Sequence, residues 1–193
     1  MSAENRRRPA GANDNHAPVD DCMEDPAAMP DVGALGFAAQ FLVWALRSWV
    51  GAFKANQDFA VLTEHAFARF GLAQSAASID AAMTIVAASA SRSIDIRCIK
   101  CRFLSPDEAI VIDAVAAIQA GIHLSAYSGL NKLMPMAAVR SAFPHLMDLA
   151  GDLAAARLRP QSIRGPGRAS FSRHDPDPRH DTALHVPGSR YLH

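Results

Sequence analysis

The chain has 193 residues, of which half are hydrophobic, and this is enough apolar surface for one core of ordinary domain size. Basic and acidic residues number 19 each, so no net charge directs the chain toward nucleic acid or an anionic membrane, and nucleic acid is disfavoured as a partner. Three cysteines are too few for a disulfide framework and fit a reducing compartment.

Both ends of the chain are polar. Residues 1–31 are rich in Pro, Asn and Asp and carry an excess of acidic groups, and residues 160–193 are rich in Pro, Ser, Arg and His. Such segments bury too little surface to offset their ordering entropy, which predicts two disordered tails around a domain at 32–159. The arginines at 6–8 precede no apolar run, so we expect no secretory signal and a cytoplasmic protein.

The apolar run at 32–46 predicts the first helix. A membrane-spanning helix needs about 20 apolar residues, whereas Gln40 and Arg47 interrupt this run. A buried helix is therefore favoured, and peripheral membrane contact through 32–53 is kept as an alternative. Two apolar stripes predict burial on more than one side: Phe37, Phe41 and Trp44, and then Leu42, Leu46, Trp49 and Phe53.

Two further helices are predicted before residue 93. The second carries the repeat Phe59, Leu62, Ala66 and Phe70, and Gly71 closes it. The third begins at about Ser78 and repeats Ile79, Met83, Val86 and Ala90.

The apolar period changes from helical to alternating at 94–103. An alternating pattern is typical of a strand, and the adjacent pair Cys98-Ile99 breaks the phase as a β-bulge would. No second strand is evident, so the segment either pairs with another copy of the chain or is an extended connector.

Helices resume at Ser105-Pro106-Asp107-Glu108, which has the form of a capping box with Pro at the first helical position. This helix should end at Gly121 and be the most buried one, because its apolar residues nearly encircle it. One more helix is predicted at 124–134, and one or two at 136–158, where Pro144 should kink or divide the last. The fold class is therefore all-α, a compact bundle of five to seven helices with one extended segment.

The motif Cys98-Ile99-Lys100-Cys101 carries the most specific chemistry in the sequence. Two thiolates at this spacing bind zinc or an iron–sulfur cluster, or close as a disulfide, and cationic neighbours favour thiolates. His123 is the nearest histidine of the predicted core and completes the candidate metal ligands. A structural zinc site needs four ligands, however, and the alternative is that both cysteines are small core residues.

The sequence therefore favours a non-enzymatic module that binds another protein or pairs with itself, since it contains no catalytic constellation or phosphate-binding loop. A metal-binding or thiol-based sensor at Cys98 and Cys101 is the first alternative. The second is a helix-turn-helix DNA-binding regulator around Gly121, although the presumed recognition helix from His123 to Lys132 has only Lys132 as a cation.

Overall fold

A computed structural model describes residues 29–164 of the chain. In this part of the chain the structure is all-helical, which confirms the predicted fold class, and a short 3-10 turn at Val32–Ala34 precedes the first helix. The six α-helices are α1 (Phe37–Lys54), α2 (Phe59–Arg69), α3 (Ser75–Ser89), α4 (Pro106–Gln119), α5 (His123–Leu130) and α6 (Met136–Ala155).

The folded part extends slightly beyond the predicted limits of 32–159. Met29 and Ile163 are partly buried and pack against the core, and the backbone amide of Ile163 donates to Asp113 on α4. Most of the two predicted disordered tails lies outside the described residues.

The core is built around α4, as its sequence predicts. Nine of its 14 residues are buried, because α1, α5 and α6 all pack against it. The closest helix packing elsewhere joins α3 to α6, and α1 completes the core by contacting α2, α3 and α4.

The predicted capping box at the start of α4 is present. The Glu108 backbone amide donates to Ser105 Oγ at 3.0 Å, and the Ser105 amide donates to the Glu108 carboxylate at 2.8 Å. Ser105 Oγ also donates to the Asp95 carbonyl at 2.5 Å. The cap therefore joins α4 to the connector that precedes it.

Helix α2 differs from its prediction in the face that it buries. Its buried residues are Phe59, Thr63 and Phe67, whereas Leu62 is exposed. These three residues are spaced four apart and form one row along the helix, which faces α1 and α3. Leu62 lies outside that row. The end of the helix is as predicted, because Gly71 adopts the left-handed conformation, with φ of 69°, that favours glycine.

The prediction of a strand with a bulge at 94–103 is wrong for this chain, because no strand forms there and the segment is a connector with a turn at residues 99–100. Side chains of α4 replace the missing partner strand: Asp107 accepts from the Asp95 amide at 2.9 Å, and Glu108 accepts from the Arg97 amide at 3.1 Å. Only an isolated bridge between residues 31 and 103 resembles sheet pairing in the described residues.

Pro144 does not divide the last helix. Helix α6 runs without a break from Met136 to Ala155 with Pro144 inside it. Its buried face packs against α3 and α4, and this packing compensates for the hydrogen bond that proline cannot donate.

The apolar run at 32–46 lies within the bundle. Most of it belongs to α1, where Leu42 and Leu46 are buried. Among the helices that the structure describes, none is both long enough and apolar enough to cross a membrane.

Replacing Ser105 with Ala should lower the free energy of unfolding by about 1 kcal/mol, the usual cost of losing a side-chain N-cap. Chemical denaturation followed by far-ultraviolet circular dichroism measures this loss. Asp58→Ala is the matched control, because Asp58 caps α2 from an exposed position, and it should cost less. An unchanged denaturation midpoint for Ser105→Ala would contradict the role of the cap.

Candidate functional site

A buried ion pair joins α1 to α4 and lies against the connector at residues 94–105. Arg47 Nε lies 2.7 Å from Glu108 Oε1, and Arg47 Nη2 lies 2.9 Å from Oε2. The side chains are 2% and 0% exposed. Two parallel hydrogen bonds between charged groups give a fixed geometry, which two isolated buried charges would lack.

The remaining donors of Arg47 hold the end of the connector. Nη1 donates to the Cys101 carbonyl at 2.5 Å, and Nη2 donates to the Phe103 carbonyl at 3.0 Å. Because Glu108 also accepts the amides of Arg97 and Ser105, the ion pair binds the connector on both sides of the cysteine motif. Within residues 29–164, no buried side-chain nitrogen or oxygen lacks a hydrogen-bond partner.

Asp107 fixes the start of the connector in a similar way. Its carboxylate accepts two hydrogen bonds from Arg92, at 2.6 and 2.7 Å. The hydrogen bonds that Arg92 donates to Asp107 raise the pKa of Arg92, and the charge of the carboxylate adds to the shift. The first turn of α4 therefore supplies both carboxylates that position the segment.

The two cysteines of the motif lie together in a turn. The Cys101 amide donates to the Cys98 carbonyl at 3.1 Å, and the two Sγ atoms are 2.6 Å apart. Cys98 is an exposed thiol, whereas Cys101 is buried and disulfide-bonded. The turn brings the two sulfur atoms to one side of the backbone.

The structure does not bring His123 to these cysteines. Cys98 and Cys101 precede the N-terminal end of α4, whereas His123 begins α5 beyond its C-terminal end, with a helix of roughly 21 Å in between. His123 instead contacts the ring of Phe143, with centroids 5.6 Å apart. In the described part of the chain, no three His, Cys, Asp or Glu residues are grouped as a metal site requires. Zinc or iron–sulfur binding by Cys98, Cys101 and His123 stays an untested prediction.

The helix-turn-helix alternative also stays a prediction. Helices α4 and α5 pack closely, and Gly121 between them has a φ of 73°. Gly129 faces Ile110 on α4, at 3.8 Å from the position of an added Cβ. Gly121 therefore forms the turn between the two helices, and Gly129 lies at their contact.

An open groove between α1 and α2 is the surface that the sequence did not reveal. Its volume is about 300 Å³, and its lining is apolar except for one amide. The residues that line it are Phe37, Gln40, Phe41, Trp44, Ala66 and Phe70. The helical repeat placed the aromatic stripe of α1 in the core, which holds for the buried Phe41 but not for Phe37, which is 53% exposed. Phe70, which follows α2, is 40% exposed.

The segment before α1 is tied to the connector beside Cys101. The Val32 amide donates to the Arg102 carbonyl at 2.9 Å, and Asp31 pairs with Arg102 at 2.7 Å. The hydrogen bond from Arg102 lowers the pKa of Asp31, and the hydrogen bond from the Gly33 amide lowers it further.

Comparisons of this chain with protein-family models, with curated proteins and with solved structures find no match. The functional argument therefore rests on the groove and on the contacts that position it.

Removing Arg47 should destabilise the protein strongly. Arg47→Met leaves Glu108 buried without its counter-charge, and losing one partner of a buried pair costs about 3–5 kcal/mol. Equilibrium denaturation measures the loss. Arg92→Met is the matched control, since its side chain is 46% exposed, and its effect should be much smaller. Equal destabilisation by the two variants would show that the buried pair is not the dominant tie.

Acid should release the segment before α1. The pKa of Asp31 is lower in the folded state than its ordinary value of 3.8, so its ion pair stabilises the fold above that pH and is lost as the pH falls through the lowered value. Hydrogen exchange at the Val32 and Gly33 amides should therefore accelerate below pH 3.8, beyond the intrinsic effect of pH. Asp31→Asn should remove this transition, and its persistence in that variant would assign the transition to another group.

Proposed function

We propose that this chain is a non-enzymatic protein-interaction module, whose α1–α2 groove binds the apolar face of a short amphipathic helix from a partner protein. The observation that carries the proposal is the exposed aromatic lining. Two rings of the lining, Phe37 and Phe70, are exposed, and aromatic residues are enriched at the centre of protein-interaction sites.

The lining is preorganised by ring contacts. The rings of Phe37 and Phe70 contact each other with centroids 5.4 Å apart, and Phe41 contacts Phe70 at 5.5 Å and the buried Phe67 at 5.2 Å. Rings held in this way lose little conformational entropy when a ligand binds.

Gln40, the polar residue of the lining, has hydrogen-bond partners within the chain and does not require a polar ligand. Gln40 Nε2 donates to the Leu35 carbonyl at 2.7 Å and approaches the Gly33 carbonyl at 3.4 Å. Its amide therefore holds the turn before α1, and the groove offers a ligand mainly apolar contact.

The size of the groove favours a helix over a second copy of the chain. From Phe37 to Trp44 the groove follows about 10 Å of α1, or two helical turns. This length matches apolar anchors at positions i, i+4 and i+7 of a bound helix. A stable dimer buries roughly 800 Å² on each partner, which is more surface than six lining residues provide.

Charge beside the groove indicates the composition of the partner. Leu62, Ala66 and Arg69 lie at positions i, i+4 and i+7 of α2, so the exposed Arg69 stands on the same side of the helix as the groove residue Ala66. An acidic residue next to the apolar stripe of the partner would pair with Arg69 and set its orientation. We place the module in the cytoplasm, as the low cysteine content favours.

The test uses a synthetic amphipathic helix with leucines at i, i+4 and i+7 and flanking glutamates, and a scrambled peptide of the same composition. Binding should change the fluorescence of Trp44 for the first peptide alone. Phe37→Ser should weaken binding at least tenfold, or about 1.4 kcal/mol, because it removes one wall of the groove. Phe53→Ser is the matched control, since Phe53 is 64% exposed and outside the lining.

Equal binding by the Phe37→Ser and Phe53→Ser variants, with both folds intact by circular dichroism, would overturn the groove assignment. Sedimentation of the full chain tests whether the groove instead binds a second copy of the chain. A dimer that Phe37→Ser dissociates would show that the groove binds a second copy, and would replace the partner helix in the proposal.

A further inference from the structure

We propose that residues 30–35 form a latch that holds the α1–α2 groove in its binding form, with Asp31 and Arg102 as positioning residues. This inference rests on the proposed function, because the groove is the site that the latch controls. It goes beyond that function by joining the groove to the connector at residues 94–105, which contributes no residue to the lining.

The groove depends on a helix end that has no side-chain cap. Phe37 is the first residue of α1 and forms one wall of the groove. Gly36 occupies the N-cap position, and it has no side chain that could accept a hydrogen bond from the first turn. Such an end frays unless the preceding chain is fixed. The position of Phe37 therefore depends on the residues before α1.

Asp31 fixes these residues by bridging the turn before α1 and the connector. Its Oδ1 atom accepts from the Gly33 amide at 2.8 Å, and its Oδ2 atom accepts from Arg102 Nε at 2.7 Å. The first hydrogen bond caps the 3-10 turn at Val32–Ala34, and the second joins that turn to the connector. Removal of the Asp31 side chain therefore breaks both links at once.

The backbone adds two hydrogen bonds between the latch and the connector. The Val32 amide donates to the Arg102 carbonyl at 2.9 Å, and the Leu104 amide donates to the Pro30 carbonyl at 3.1 Å. Because Leu104 is fully buried, this pairing starts from a fixed part of the core. The connector is thus the support to which the latch is attached.

Gln40 links the position of the latch to the groove. Its side chain lies in the lining, and its Nε2 atom donates to the Leu35 carbonyl at 2.7 Å and approaches the Gly33 carbonyl at 3.4 Å. Displacement of the latch removes these partners and leaves the Gln40 amide to be desolvated by an apolar ligand, which is unfavourable. Opening of the latch and binding at the groove therefore oppose each other.

The coupling between the latch and the groove is reciprocal. If closing the latch improves the affinity of the groove by some factor, binding at the groove must favour the closed latch by the same factor. The measured affinity also falls with the fraction of molecules in which the latch is closed. Both quantities can be measured, the first as a dissociation constant and the second as protection of backbone amides.

The experiment uses the full chain and the glutamate-flanked amphipathic peptide. Asp31→Ala should weaken peptide binding about fivefold, the upper value for an exposed ion pair. Arg102→Gln keeps the cap of the 3-10 turn and should weaken binding less, and Arg102→Lys should restore the affinity of the wild type. Asp58→Ala is the matched control, because Asp58 caps α2 in the same way from an exposed position, and it should leave the affinity unchanged.

Hydrogen exchange of the same proteins measures the latch directly. Without peptide, Asp31→Ala should accelerate exchange at the Ala39 and Gln40 amides, which donate to the Gly36 carbonyl in the first turn of α1. In the wild type, bound peptide should slow exchange at the Val32 amide, although Val32 lies outside the lining.

Equal peptide affinity of the wild type and Asp31→Ala would overturn the latch and leave the groove assignment intact. An equal loss of affinity in Asp31→Ala and Asp58→Ala would also overturn it, because any helix cap would then act alike. The same holds if bound peptide does not change exchange at Val32. Absence of peptide binding by the wild type would contradict the proposed function itself, so the two failures are distinguishable.

Discussion

The buried ion pair between Arg47 and Glu108 is the interaction on which the rest of the structure depends. A buried charge without its partner is far more costly than the net gain from the pair, so arrangements that separate α1 from α4 are strongly disfavoured. The same two side chains supply hydrogen bonds for the connector. Such a pair contributes more to the specificity of the helix arrangement than to the net stability of the fold.

The groove follows from the orientation that this pair imposes on α1. Arg47 and Phe41 are six residues apart, which places them roughly 120° apart around a helix. With Arg47 turned toward α4, the aromatic stripe is turned toward α2. Helix α2 has only 11 residues and buries three of them, so it covers the stripe incompletely. The groove is therefore open because α2 is shorter than the aromatic helix α1 that it packs against.

Local signals in the sequence predicted the helices well and the long-range contacts poorly. Ser105 and Glu108 are three residues apart, so the cap could be read directly, and the left-handed Gly71 likewise ends α2 as its position suggests. The alternation at 94–103 correctly indicated a break in the helical pattern, but strand pairing depends on distant partners. Here those partners are side chains of α4 in place of a strand. The sequence predicted Arg47 only as the end of an apolar run and not as half of an ion pair, because its partner Glu108 lies 61 residues away.

The cysteine turn shows how one chemical outcome arises from different backbone geometries. A regular strand would place residues 98 and 101 on opposite faces, and a bulge was needed to bring them together. The turn achieves this through a hydrogen bond from the Cys101 amide to the Cys98 carbonyl. The Cys101 carbonyl also accepts from Arg47, so the same turn that brings the two cysteines together is joined by a hydrogen bond to the middle of α1.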